Sequence, residues 1–432
     1  MNNDADEYRG VTTEPGRRRG RNPLRNLKTF NSLKNPVFRL FYLGMLGQRA
    51  SMNMQMMARS LLIWRLTESP AILGIMSLFH ALPMLLLAVF GGVIADRIQK
   101  KYVLLVGMAV SAVISVGVAL ALQFGYLSAE RAGSWWLLAV ASLLQGSVMG
   151  LMIPSRQAII PEMVSGEQLM NAISLDSLGM NMLRLTAPAL SGFLIDAFDF
   201  KAVYYAMTGM YIMGTIFIAF MPLTSKIKIR AAGRRTLTDI VEGFKYIRHE
   251  TTILVILAFT LIAVVLSMPY MVLLPVFTED ILGVGATGMG VLISISGAGA
   301  MASSLVLASL PNKKRGLMLL VGSLVLGLAL VGFSFSSSWY LSMALIVFVG
   351  VGQASRMTLG NTLIQYYVED DYRGRVMSVY MMEFGLTSFG SFTAGLLAEA
   401  VGVQWALGGF ALTLVCVSFL ALVFIPRIRR LD

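Results

Sequence analysis

Long apolar runs of about twenty residues or more recur along this chain from Val37 to Ile425, separated by short polar connections. No other feature leaves it fewer options. A hydrocarbon core of about 30 Å takes roughly 20 residues of α-helix, so each run matches one crossing of a bilayer. Period-two alternation is absent, which excludes lipid-spanning strands and leaves helices. Twelve spans are predicted, at 37–66, 70–95, 102–124, 134–155, 171–197, 201–223, 252–277, 286–310, 316–336, 338–367, 376–399 and 402–425. With 56% hydrophobic and only 13% charged residues, a soluble fold does not compete.

The net charge of +12 is unevenly placed, and the placement predicts orientation. Outside the spans, Lys and Arg number eight in the N-terminal tail, three in 96–101, seven in 224–250, three in 312–315 and three after 426. The alternate connections carry few basic residues and hold acids such as Asp196, Asp199, Glu279 and Asp280. By the positive-inside rule, both termini and the 224–250 segment are cytoplasmic, in a cytoplasmic (inner) membrane. Topology and attraction to lipid headgroups account for the basic excess, so no nucleic-acid partner is expected.

The halves of the chain repeat each other. Shifted by 204 residues, RQAIIPEMVSGEQLMNAISLDSL (156–178) falls on the run from Gly360 to Glu383, with Val164 on Val368 and Ser174 on Ser378. A six-plus-six duplication follows, the kind of repeat from which secondary transporters are built. The expected organisation is a disordered tail at 1–36, a six-helix bundle at 37–223, a cytoplasmic linker at 224–250, a second six-helix bundle at 251–426 and a tail at 427–432. The fold class is therefore an all-α membrane protein of two pseudo-symmetric bundles. Within the linker, apolar residues at 237, 240, 241, 244 and 247 form a helical stripe, and Thr236 and Asp239 have capping-box spacing. It is expected to lie on the cytoplasmic membrane surface and tether the bundles.

Between the second and third spans the sequence reads GGVIADRIQKKY, Gly91 to Tyr102, with both signs of charge in one short connection. Topology explains Lys100 and Lys101 but not Asp96, which weakens a positive turn. A carboxylate at this place can face the N-terminus of a neighbouring helix, where free N–H groups favour negative charge. GGVIADRIQKK resembles the signature between spans 2 and 3 of the major facilitator superfamily. The wider pattern, LTESPAILG (66–74), PSRQAIIP (154–161) and YRGRVMSVY (372–380), is similar to its branch of enterobactin exporters, macrolide efflux pumps and lysophospholipid transporters. The resemblance covers 37–425. It implies that Asp96 and Arg97 latch onto the start of span 11 (371–376) on the cytoplasmic face, with Gly91 and Gly92 allowing close helix approach. The matching place in the second half has Asn312, so one such latch is expected.

Ionisable residues at membrane depth are costly and mark function, partnership or both. Arg49, Arg59 and Gln55 lie in span 1, His80 in span 2, Asp176 and Arg184 in span 5, Arg356 in span 10 and Glu383 in span 11. Asp176 is read either as half of a structural pair with Arg184 or as a site residue, and His80 as a packing residue or a proton relay. Relatives in the resembled family carry an Asp in span 1 where this chain has Met52, and the span-5 glycine-proline signature is degraded to TAPALSG (186–192). Proton coupling is accordingly expected at Glu383, with Asp176 and His80 as the alternates. A desolvated carboxyl can hold a proton and lose it when a cation such as Arg356 approaches. Arg49, Arg59, Arg184 and Arg356, with Gln55, are the expected lining of a cavity of positive bias, suited to an amphiphile with an anionic group.

Motifs for other chemistries fail on context. GVGATG (283–288) fits GxGxxG but lacks a strand before it and an acid about twenty residues after it, and reads as a turn. No P-loop is present, and two histidines and the single Cys416, read as a packing residue in the last span, offer no metal set. Neither cofactor nor metal is expected, and no enzyme activity. The reading is a proton-coupled exporter of amphiphilic small molecules, its partners being substrate, protons and membrane lipids. A lysophospholipid flippase and a non-transporting receptor or scaffold stay open beside it.

Overall fold

The computed structural model describes residues 31–131, 133–164, 166–223, 236–311 and 313–432. Most of the 1–36 tail, residues 224–235 of the linker and Asn312 lie outside the described residues. The first half of the chain forms α1 (Pro36–Thr67), α2 (Pro70–Arg97), α3 (Lys100–Gln123), α4 (Trp136–Met163), α5 (Gly166–Phe198) and α6 (Phe200–Phe220). After α7 (Thr236–His249) come α8 (Thr251–Ser267), α9 (Pro269–Val276) with a π turn at Phe277–Ile281, α10 (Gly285–Ser309) and α11 (Arg315–Ser334). The chain ends in α12 (Trp339–Tyr367), α13 (Arg373–Met381), α14 (Glu383–Val401), α15 (Val403–Phe424) and the short α16 (Pro426–Arg429). Among the described residues there is no strand.

Among the described residues, eleven stretches are long and apolar enough to cross a membrane. The predicted first span is not among them. α1 has the length, at 32 residues, but carries Arg39, Arg49, Arg59 and Arg65. Helix starts follow local chemistry: the Asn35 side chain accepts from the N–H groups of Val37 and Phe38, Ser69 accepts from Ile72, and Pro36 and Pro70 occupy N1 of their helices. Val164 and Val368, aligned by the internal repeat, both end their helices in extended backbone.

Two predicted spans are not single helices. The run predicted at 252–277 breaks at Met268, where Pro269 begins a new segment, and continues to Ile281. The run predicted at 376–399 starts at Arg373 and is interrupted at Met382, with no proline involved. There the bonding tightens to the i→i−3 type: Met382 N–H donates to the Val379 carbonyl and Gly385 N–H to that of Met382. Glu383 is the first residue after this interruption.

The amphipathic α7 docks on the second half. Glu242 pairs with Arg375 at 2.9 Å, Tyr246 stacks on Tyr372 with ring centroids 4.1 Å apart, and Ile247 is buried. Phe244, from the same stripe, is exposed. Cys416 also departs from expectation, standing exposed on α15 rather than packed.

The connections divide into a basic face, with 98–99, 311–314 and the chain's C-terminus, and an acidic face, with Glu68, Asp196, Asp199, Glu279, Asp280 and Glu399. α2 runs along α14 and α5 along α10, joining the two halves. The largest buried apolar cluster crosses between halves toward the acidic face, through Trp64, Leu73, Ile195, Tyr270, Phe277 and Ala286. Toward the basic face the buried clusters are separate, one around Phe38 and Ile160 in the first half and one around Ile253 and Leu363 in the second. The halves thus share a core at one end and hold their own at the other.

Candidate functional site

The best-defined charge site is the pair Arg356–Glu383. α12 places Arg356 eleven residues before its end at Tyr367, and Glu383 lies ten residues after the start of α13, each about 15–17 Å along its helix from the basic face. Arg356 Nη2 donates to Glu383 Oε1 at 2.5 Å, with the arginine side chain 1% and the carboxylate 12% exposed. Nε and Nη1 of Arg356 have no hydrogen-bond partner among the described residues. Tyr380, one turn before Glu383, donates to the Met357 carbonyl at 3.3 Å, while Gln353 Nε2 donates to Met268 Sδ at the α8–α9 break. Two ionised groups so poorly hydrated hold each other in place, and separating them is costly.

A second pair joins α1 to α5. Arg49 donates through Nη2 to Asp176 Oδ2 at 2.6 Å and through Nη1 to the Asp176 carbonyl at 2.8 Å. The expected pairing of Asp176 with Arg184 is therefore corrected. Eight residues along one helix separate two groups by about 12 Å, whereas Arg49 approaches from the facing helix. Nearby, Arg156 donates to Gln48 Oε1 at 3.4 Å.

The arginines expected to line one cavity stand in different surroundings. Arg49 and Arg356 are buried and neutralised, while Arg59 and Arg184 have no carboxylate within ion-pair distance among the described residues. Arg59 Nη1 donates to Ser142 Oγ at 3.5 Å, with the imidazole of His80 and the phenol of Tyr204 within electrostatic reach. Among the described residues the buried His80 Nδ1 has no hydrogen-bond partner, and the His80 backbone carbonyl would collide with any Cβ at Gly146, so α2 and α4 touch directly beside this group. Arg184 lies in α5 near Tyr270, and Gln55 is buried in α1. Met52 is exposed on the same helix.

At the GGVIADRIQKK connection the structure separates the expected roles. A Cβ on Gly91 would lie 2.5 Å from the Gly150 carbonyl, so this glycine allows α2 to meet α4, whereas Gly92 faces nothing within 4 Å. Successive helical residues point about 100° apart, and only one of the two can meet a given neighbour. Lys100 pairs with Glu162 at 2.7 Å and Lys101 donates to the Ala219 carbonyl at 2.8 Å, both within the first half. Arg97 is exposed, and the side chain of Asp96 lies outside the described residues.

Among the described residues, the polar contacts linking the two halves gather toward the acidic face. Arg65 makes two hydrogen bonds to Glu279 at 2.9 and 3.2 Å, and Trp64 Nε1 donates to Asp280 Oδ1 at 3.3 Å. Glu399 accepts from Ser69 Oγ and Ala71 N–H, Asp196 accepts from Thr287 N–H, and Ser77 donates to the Ser388 carbonyl. Sequence reasoning placed Asp196 among the connection charges and did not single out Glu399. The signal that finds them is GFLID (192–196) recurring as GLLAE (395–399).

Comparison with known proteins matches residues 27–432 to the model of a family described as transmembrane secretion effectors. The staphyloferrin A transporter of Staphylococcus aureus is 24% identical, over 83% of this chain and 88% of that protein. Macrolide efflux protein A of Streptococcus pyogenes is 21% identical, over 91% and 97%. Among solved structures, the nucleoside transporter NupG superposes with a TM-score of 0.71 at 14% identity, covering 90% of this chain and 99% of that one.

Proposed function

The chain belongs to the transmembrane secretion effector family of major facilitator superfamily transporters, and from that premise we propose that it is a proton-coupled exporter of amphiphilic small molecules working by alternating access. The eleven apolar stretches and α1 act as twelve spans in two six-helix bundles, in a cytoplasmic membrane, with the basic face cytoplasmic. The acidic face is then external. A core shared between halves at that face and divided at the other supports a resting state closed to the outside.

The observation that carries coupling is the Arg356–Glu383 pair at the interruption of the α13–α14 span. A carboxylate held by a cation is deprotonated, and one drawn away from it in a dry cavity takes up a proton. If rocking of the halves alters the register of α12 and α14, one proton is exchanged per cycle at Glu383. Asp176, fixed on Arg49 in the uninterrupted α5, and His80, packed where α2 touches α4, are the weaker candidates. The cytoplasmic latch of Asp96 and Arg97 on the start of α13 holds the opposite, outward-open state.

For substrate, Arg59 and Arg184 supply positive charge with no carboxylate in ion-pair distance among the described residues, which favours an anionic group on the transported molecule. The relatives' names include a siderophore carrier and a macrolide carrier, and the proposed class of medium-sized amphiphiles spans both. The test is uptake into inside-out vesicles of a panel of siderophores and macrolides, with and without an imposed pH gradient. Accumulation that depends on this chain and collapses with the gradient is the expected result. Accumulation indifferent to the gradient refutes coupling, and none for any compound refutes the export reading.

A further inference from the structure

Asp196 and Glu399 stand at equivalent places near the acidic ends of α5 and α14, each four residues after a glycine that touches the opposite half. Glu399 Oε2 accepts from Ala71 N–H at 3.2 Å and from Ser69 Oγ at 2.9 Å, at the start of α2. Pro70 has no N–H and Ser69 already caps Ile72, so Glu399 takes the amide that α2 leaves open. Asp196 Oδ2 accepts from Thr287 N–H at 2.7 Å, at the start of α10, a helix whose own N-cap residue, Val284, gives no side-chain hydrogen bond. Each carboxylate caps a helix that belongs to the other half.

The arrangement is two-fold. The donors Ala71 and Thr287 are 216 residues apart, as are the seam glycines Gly74 and Gly290. A Cβ on Gly395 would lie 2.5 Å from the Pro70 carbonyl, and one on Gly192 would collide with the Ala286 carbonyl, so each carboxylate reaches its amide only while the helices are in backbone contact. When the acidic face opens, both caps are lost together. We propose that Asp196 and Glu399 are paired gating residues that hold the acidic face shut, each by capping the first turn of a helix in the opposite half.

This assignment rests on reading the chain as an alternating-access carrier. Its test is the distance between spin labels at Arg131→Cys and Ser337→Cys, on opposite halves of the acidic face, in a Cys416→Ser background and lipid nanodiscs. The parent should show a short-distance population and a long-distance one whose share responds to pH and ligand. Asp196→Asn and Glu399→Gln should each raise the long-distance share about two- to fivefold, as expected for an exposed carboxylate on a helix N-terminus, and together about tenfold. Asp199→Asn is the control, because Asp199 caps α6 within its own half, donor Phe200 N–H at 2.6 Å. Ala71→Pro and Thr287→Pro remove the donors at first-turn positions that tolerate proline, and carry the test where an acid variant is poorly folded. Ala71→Pro combined with Glu399→Gln should shift the populations no further than either alone. Unchanged populations in all four variants, or an equal shift in Asp199→Asn, overturn the assignment while the carrier reading stands. A parent with one fixed distance under every condition overturns both.

Discussion

Replacing Glu383 with glutamine removes one charge from a pair whose other member has almost no contact with water. Arg356 is 1% exposed, its Nη2 lies 2.5 Å from Glu383 Oε1, and its remaining donors have no partner among the described residues. Losing one partner of a buried ion pair costs about 3–5 kcal/mol, because the survivor stays charged in a poorly polarisable site. Glutamine retains an acceptor oxygen, which places the expected loss near 3 kcal/mol. The double variant Glu383→Gln with Arg356→Gln removes both charges and should recover about half or more of that loss. Neither variant keeps a titratable group at this position, so gradient-driven export in proteoliposomes should fall at least about tenfold in both. Thermal unfolding in detergent separates the two effects. Parental gradient-driven export by a well-folded Glu383→Gln protein refutes the coupling role, and a double variant no more stable than the single refutes the electrostatic account of the pair.

Other expectations follow from the same geometry. Asp96→Asn should lower transport at matched membrane levels with little change in folding, and equal transport by the variant returns Asp96 to a role in topology alone. Anionic amphiphiles should compete for export better than cationic ones of equal size, with the preference weakened in Arg59→Gln; preferential export of lipophilic cations refutes it. Gly395→Leu places bulk against the Pro70 carbonyl and Gly74, so it should drive the acidic face open and slow transport in both directions, measured as counterflow. Counterflow at the parental rate would show that the seam need not close.

What could be read from sequence was set by the bilayer, which demands long apolar helices and punishes lone charges. Spans such as α3, α6, α11 and α15 follow directly from their apolar runs. The interruption at Met382 was not legible, since YMMEFG contains no proline, its one glycine is of a kind that recurs inside unbroken spans, and its i→i−3 turn depends on what packs around it. Partner choice was also hidden. Asp176 and Arg184 share a helix and invite pairing, but which neighbour reaches Asp176 depends on how α1 and α5 are rotated about their axes, and that is a property of packing. Spacing misled at Gly91 and Gly92 for the same reason. The paired gating acids were legible in principle, because GFLID and GLLAE repeat at 203 residues, one short of the 204 that aligns the opposite ends of the same helices. That single offset conceals the match when one register is imposed throughout.

The exposure of the acidic-face contacts is itself part of how such a gate works. Arg65–Glu279 and the two inter-half caps lie near water and Trp64–Asp280 is part-buried, so each contributes only about 0.3–1 kcal/mol. Together they supply roughly 1–4 kcal/mol, a bias of about five- to several-hundredfold toward closure. Reversing a two-state equilibrium from 1:99 to 99:1 takes about 5.5 kcal/mol of differential binding, so a gate of this strength stays within what substrate and proton can overturn. Buried ion pairs in the same places would raise the cost of opening to that of stranding a charge, and the Arg356–Glu383 pair shows that the chain can build such a pair. Its location separates two tasks. On the proposed mechanism, strong, dry electrostatics sits where a proton is exchanged, and weak, wet electrostatics sits where the halves part in every cycle.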